Sequence, residues 1–301
     1  MTADSSEAAR TSRALASLRG LAVGDALGSQ FFVPANYALL QHGELPPGPW
    51  GWTDDTEMAC SVLAVVVRYG RIDQDALALS FAEHHDFDRG YGPAVNRMLR
   101  LIRQEGADWR ELAAGLFNEQ GSWGNGAAMR VAPLGAWYAG DPAEAAHQAE
   151  LSAYPTHQHR EAVAGATAVA VAAALTADPA GPRDPEALLG AVLDLVPRSA
   201  VHSGIGRARD MLDDADVATV AAVLGCGRRT SAHDTVPFTL WAAARNLGDY
   251  ERAFWTTARA GGDVDTTCAI VGGMVASRPG GEPPRTWTER TETLPEWAAT
   301  A

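Results

Sequence analysis

Apolar residues recur along this chain at helical spacing rather than in strict alternation, and alanine, leucine and arginine dominate between short Gly/Pro interruptions. The pattern predicts an all-α protein, with helices near Thr11–Leu27, Thr56–Tyr69, Asp73–His84, Gly92–Gln104, Ala127–Tyr138, Pro142–Ala153 and His159–Leu175. Further helices are expected near Pro185–Leu195, Ser203–Leu212, Asp216–Leu224, Asp234–Asn246, Asp249–Ala260 and Thr266–Ala276. The most apolar stretch, Ala162–Leu175, is mostly alanine and falls short of the roughly 20 residues of a membrane span, so it reads as a buried helix. Gly/Pro-rich segments at Pro34–Trp52, Asp178–Pro185 and Pro279–Pro284 read as loops, none long or polar enough to separate two domains. No repeat of fixed period is visible. The expectation is a compact single-domain helical bundle over residues 11–278, with a flexible N-terminus at 1–10 and a C-terminal extension at 279–301.

With 301 residues, 47% of them hydrophobic, the chain can bury a large core, which excludes a disordered or fibrous protein. Acidic residues outnumber basic ones 37 to 24, and the resulting charge of −13 repels nucleic acid and anionic lipid. General nucleic-acid binding and membrane attachment are therefore not expected. Every basic side chain apart from histidine is arginine, which removes lysine Schiff-base chemistry and the lysine of a P-loop. Cys60, Cys226 and Cys268 are odd in number and lack CxxC spacing, as reduced thiols would be, and the N-terminus lacks a secretory pattern. A cytoplasmic, monomeric protein is the expectation.

Candidate chemistry begins with two acidic clusters, Thr53-Asp54-Asp55-Thr56 and Gly262-Asp263-Val264-Asp265-Thr266, each where a glycine-containing loop gives way to a helix. Taken singly, either cluster is more often an N-cap than a ligand set. Capping needs only one acceptor per helix, however, and each cluster carries two carboxylates and a hydroxyl, which a cation would relieve. Oxygen donors without His or Cys select Mg²⁺ or Mn²⁺ over zinc, and four carboxylates would balance two divalent ions. A third element, Gly121-Ser122-Trp123-Gly124-Asn125-Gly126-Ala127-Ala128-Met129-Arg130, is either an ordinary turn or a phosphate-binding loop that opens a helix. His157, at another loop-to-helix step, is either a hydrogen-bonded structural residue or a ligand contact.

An ordered set of motifs spans nearly the whole chain. It comprises Gly20-Leu21-Ala22-Val23-Gly24-Asp25-Ala26-Leu27-Gly28, Trp52-Thr53-Asp54-Asp55-Thr56, Arg89-Gly90-Tyr91-Gly92, Gly124-Asn125-Gly126-Ala127-Ala128-Met129-Arg130, Thr156-His157 and Gly261-Gly262-Asp263-Val264-Asp265-Thr266. In this the sequence resembles the ADP-ribosylglycohydrolases, including those of the dinitrogenase reductase-activating type. The resemblance implies an all-helical fold and a centre of two Mg²⁺ or Mn²⁺ ions, held by Thr53, Asp54, Asp55, Asp263, Asp265 and Thr266. It also implies that Trp123, the loop Gly124, Asn125, Gly126, Ala127 and Ala128, and His157 contact the ADP-ribosyl group. The implied activity is hydrolysis, by a water that the two metals activate, of the bond joining ADP-ribose to a modified protein side chain, arginine favoured, with Asp55 handling protons. The alternatives are a serine-linked, nucleic-acid-linked or metabolite ADP-ribosyl substrate, or an ADP-ribose-binding protein with weak turnover. Two positions depart from the family. Phe32 stands where many members have a glutamate, leaving Asp55 or Glu44 as the available carboxylate, and Val264 replaces a usual threonine.

Overall fold

The computed structural model describes residues 3–214 and 216–298. Aspartate caps open six of the helices. Asp73, Asp108, Asp141, Asp184, Asp216 and Asp249 each accept a hydrogen bond from a backbone amide in the first turn of the helix that follows. Proline occupies the first turn at Pro93, Pro142 and Pro185, where its missing N–H costs nothing. In chain order the helices are α1 (Ala3–Ser29), α2 (Tyr37–His42), α3 (Asp54–Tyr69), α4 (Gln74–His84), α5 (Pro93–Glu105), α6 (Trp109–Ala114) and the single turn α7 (Leu116–Glu119). They continue with α8 (Ala132–Trp137), α9 (Pro142–Ala153), α10 (Arg160–Ala177), α11 (Pro185–Leu195), α12 (Ala200–Asp210) and α13 (Val217–Leu224). The last are α14 (Ala232–Arg245), α15 (Tyr250–Ala258), α16 (Val264–Ala276) and α17 (Arg285–Thr288). Among the described residues there is no strand, only two isolated bridges, Trp50 with Thr291 and Gly124 with Ser231. The fold is all-α.

Helix α10 is the centre of the bundle: sixteen of its eighteen residues are buried, and α8, α9, α14 and α16 pack around it. It is long and apolar enough to cross a membrane by length and composition, but its apolar surface is spent on the protein's own core. The closest pairing is α1 against α16. A Cβ at Gly20 would lie 2.5 Å from the Gly272 carbonyl oxygen, one at Gly24 2.2 Å from that of Cys268, and one at Gly28 2.8 Å from that of Val264. Only glycine at four-residue spacing lets the two backbones touch. The Tyr250 hydroxyl donates to the Gly20 carbonyl and ties α15 to the same crossing.

Most elements lie where the hydrophobic pattern puts them, and the differences have local causes. The helix expected over Ala127–Tyr138 is only Ala132–Trp137. Pro133 cannot sit seven residues into a helix without losing a hydrogen bond and clashing with the preceding turn, so the helix starts beside it. Residues 125–127 form a separate 3₁₀ turn. α1 extends to Ala3 and Ser29, beyond the expected Thr11–Leu27. Ser199 rather than Ser203 begins α12, because its hydroxyl accepts from the His202 amide (3.0 Å). The loop over Pro34–Trp52 contains α2, and α17 lies beyond Pro279–Pro284; at six and four residues these helices are too short to show a period.

The α1–α16 contact is directly testable. Gly24→Ala drives a methyl into the Cys268 carbonyl and is expected to destabilise by about 1–3 kcal/mol in urea unfolding. Gly206→Ala, in α12 with open space around its Cβ, should instead stabilise by about 0.5–1 kcal/mol.

Candidate active site

The N-termini of α3 and α16 converge on one cavity of about 530 Å³. At α3 the cap is Thr53, whose hydroxyl accepts from the Asp55 amide. Asp54 and Asp55 follow in the first turn with their carboxylates left for other work. At α16 Asp263 occupies the cap position and makes no capping hydrogen bond, in contrast to the six aspartates that cap other α-helices. Capping therefore does not account for either cluster.

The α1–α16 crossing adds a residue that pattern reading did not place in the site, Asp25. Its carboxylate is fully buried and accepts four hydrogen bonds: from the Thr53 amide (2.9 Å) and hydroxyl (2.8 Å), and from the Thr56 amide (3.1 Å) and hydroxyl (2.6 Å). Oxygens of Asp25, Asp55 and Asp265 all lie within 4.8 Å of one another. Asp55 Oδ2 is in reach of the hydroxyls of Thr53 (3.0 Å) and Thr266 (3.3 Å), whereas its buried Oδ1 has no partner. Asp54, Asp55, Asp263, Asp265 and Thr266 line the cavity, whereas the half-buried Thr53 does not. The one signal for Asp25 in the sequence was its place between Gly24 and Gly28, and the close approach those glycines allow is visible only once α16 is in place.

Burial raises the carboxyls of Asp25, Asp55, Asp263 and Asp265 above the usual range, and at Asp55 and Asp265 the charges of neighbouring aspartates push further. Asp54 is pushed up to about 7, chiefly by burial and then by the charge of Asp25. These oxygens are crowded and desolvated, and Asp55 Oδ1 has no donor. An orphaned buried carboxylate oxygen within an all-oxygen cluster fits a hard divalent cation.

The opposite wall is the glycine loop. Gly124 bridges to Ser231, the Asn125 amide donates to the Thr230 carbonyl (3.0 Å), and the Ala232 amide donates to that of Trp123 (3.0 Å). Gly124, Asn125 and Gly126 face the cavity, while Ala127 and Ala128 are wholly buried behind them. The amides of Gly124, Asn125 and Ala128 already have partners within the protein. Asn125 Nδ2 donates to Asp263 Oδ2 (2.7 Å) and Thr235 Oγ1 (3.1 Å), which fixes one wall against the other. His157 lies under the loop; a Cβ at Gly126 would be 2.8 Å from its ring. Its Nδ1 is 2.7 Å from Thr156 Oγ1, which also accepts from Arg130 Nη2 (2.9 Å). Burial, then the nearby charge of Arg130, lowers its pKa to about 3, so the ring is neutral. At the mouth Trp123 is 37% exposed and packs on Phe117 with centroids 4.8 Å apart. Phe32 and Glu44 are both exposed and stand outside the cavity.

This helical frame with a buried acidic floor has known relatives. The ADP-ribosylglycohydrolase family profile matches residues 6–300. Human ADP-ribosylhydrolase ARH3 is 27% identical, across 91% of this chain and 88% of its own. An uncharacterized protein of Archaeoglobus fulgidus is 31% identical, over 90% and 88%. The solved structure of an ADP-ribosylglycohydrolase-related protein complex superimposes with a TM-score of 0.66 at 26% identity, covering 95% of this chain and 94% of that one. The chain belongs to the ADP-ribosylglycohydrolase family and is, like its members, a hydrolase of ADP-ribosylated substrates.

The buried neutral histidine makes a prediction with a definite sign. A folded pKa of about 3 against an ordinary value of 6.5 means that only the unfolded chain takes up this proton between those limits. Its stabilising contribution is complete above pH 6.5 and is lost as the pH falls toward 3. His157→Asn should flatten the acid side of the stability profile by up to about 1.4 kcal/mol per pH unit, read from urea unfolding between pH 4 and 7.

Proposed function

We propose that the protein removes ADP-ribose from a modified protein side chain, with arginine the favoured acceptor. The observation that carries this reading is the group of buried carboxylates on the floor of a 530 Å³ cavity, with Asp55 Oδ1 lacking any partner. Asp54, Asp55, Asp263, Asp265 and the hydroxyls of Thr53 and Thr266 would hold two Mg²⁺ or Mn²⁺ ions, with Asp25 holding the start of α3 in place behind them. Such ions, when bound, supply Lewis acidity that brings the pKa of a water toward neutrality.

The chain's own residues do the rest. Asp55, the most buried of the carboxylates that line the cavity, accepts the proton as water adds to the anomeric carbon and the bond to the acceptor breaks. An arginine-linked acceptor leaves as a neutral guanidine, since the substituted guanidinium already carries its proton. Phe32 has no proton to give and Glu44 is out in solvent, so this route suits a site without the second carboxylate. Gly124 and Gly126 present loop backbone to the cavity, and their missing side chains leave room for the His157 ring beside it. Thr156 Oγ1 already accepts from Arg130, and its hydroxyl donating to Nδ1 would leave His157 with Nε2–H toward the loop as an uncharged donor. Trp123 and Phe117 offer an apolar surface at the mouth for the rest of the ligand.

Asp55→Asn should lower single-turnover hydrolysis of ADP-ribosylated arginine by about 10²–10⁴-fold with the fold retained, while Glu44→Gln should leave the rate unchanged. A large loss in Glu44→Gln beside an active Asp55→Asn would reverse the assignment. Asp265→Asn should lose Mg²⁺ and Mn²⁺ binding in calorimetric titration, and an unchanged affinity would reject the metal reading. Offering serine-linked and nucleic-acid-linked ADP-ribose in the same assay identifies the acceptor.

A further inference from the structure

The C-terminal segment returns to the front of the site. Trp287, buried against Tyr250, Phe254 and Trp255, anchors it. Beyond that anchor the chain runs parallel to residues 50–52: the Trp50 amide donates to the Arg290 carbonyl (2.7 Å), and the Glu292 amide donates to the Trp50 carbonyl (2.8 Å). The Glu292 carboxylate then receives both terminal nitrogens of Arg89, at 2.7 and 2.8 Å. Arg89 Nη1 also donates to the Trp52 carbonyl (2.9 Å), and its guanidinium carbon sits 3.6 Å from the centroid of the Trp52 ring.

One guanidinium thus joins three segments far apart in sequence, and two of them touch the acid cluster. Trp52 immediately precedes Thr53-Asp54-Asp55. Gly90, next to Arg89, borders Asp54: a Cβ there would lie 3.7 Å from Asp54 Oδ1. The neighbouring Tyr91 hydroxyl donates to Glu57 Oε2 (2.6 Å) on the first turns of α3.

We propose that Glu292, acting through Arg89, is a positioning residue for the carboxylates at the start of α3, so that the C-terminal segment belongs to the active-site frame. This rests on the reading of the acid cluster as a divalent-cation site. The physical ground is geometric. The stretch before α3 has no helix of its own to hold it, and a planar fork gripping a carboxylate at two points while bonding the Trp52 carbonyl fixes both distance and direction. Glu292 and Arg89 are both partly exposed, so their pairing adds little to global stability. Its loss should be felt in ligand placement.

The test is Mn²⁺ binding to the full chain, followed by calorimetry, together with the melting temperature of the metal-free protein. Glu292→Gln and Arg89→Lys are each expected to weaken Mn²⁺ binding by roughly tenfold or more, with metal-free melting little changed. Arg285→Ala, which breaks an equally close but exposed Arg285–Glu289 pair in the same segment, should alter neither. Wild-type affinity in Glu292→Gln overturns the proposal, as does a loss of affinity only in step with metal-free destabilisation. Should Glu292→Gln fail to fold, Arg89→Lys carries the same comparison, since it keeps the charge facing Glu292 but cannot also span to Trp52. A wild type that binds no Mn²⁺ would instead sink the cation reading itself.

Discussion

The backbone contact between α1 and α16 sets the rest of the molecule. Gly20, Gly24 and Gly28 bring α1 so close to the carbonyls of Gly272, Cys268 and Val264 that no side chain fits between them. Asp25 projects from this crossing into the space where α3 and α16 begin, and its four hydrogen bonds hold the start of α3. A crossing wider by one methyl group would move Asp25 away from Asp265 and open the floor of the cavity. Packing and site geometry are here the same constraint.

The electrostatics follow from that placement. Two helix N-termini point their positive ends at the cluster, which favours negative charge there by only about 0.3–1 kcal/mol each. Burial outweighs this, since every aspartate of the cluster has its carboxyl raised. Two arginines on neighbouring elements are engaged elsewhere, Arg89 with Glu292 and the Trp52 carbonyl and Arg130 with Ser152 and Thr156, while Arg229 lines the cavity wall. Raised carboxyls sharing one cavity floor are the arrangement that a bound cation, as proposed for this site, would relieve.

The glycine loop serves the interior as much as the cavity. Several of its amides are already bonded within the protein, Asn125 braces Asp263, and Gly126 leaves room for the His157 ring. A side chain at Gly126 would therefore run into the histidine beneath it. The neutral state of that histidine is itself a product of packing, because burial and Arg130 both disfavour its charge.

The sequence by itself determined the all-helical class, most helix positions and the family, because apolar periodicity, aspartate and proline at helix starts, and short motifs are all local in the chain. The two acidic clusters and the exclusion of lysine chemistry were legible in the same way. Only the tertiary structure decided which carboxylates meet. Asp25 joins Asp55 and Asp265 through a crossing of helices about 240 residues apart in sequence, and no local pattern records which faces touch. It also decided that Asp263 does not cap α16, that Ala127 and Ala128 lie behind the loop, and that Phe32 and Glu44 stand outside the cavity. The same holds for Glu292 and Arg89: an ion pair between residues 203 positions apart depends on where the chain returns, which burial of Trp287 against α15 sets.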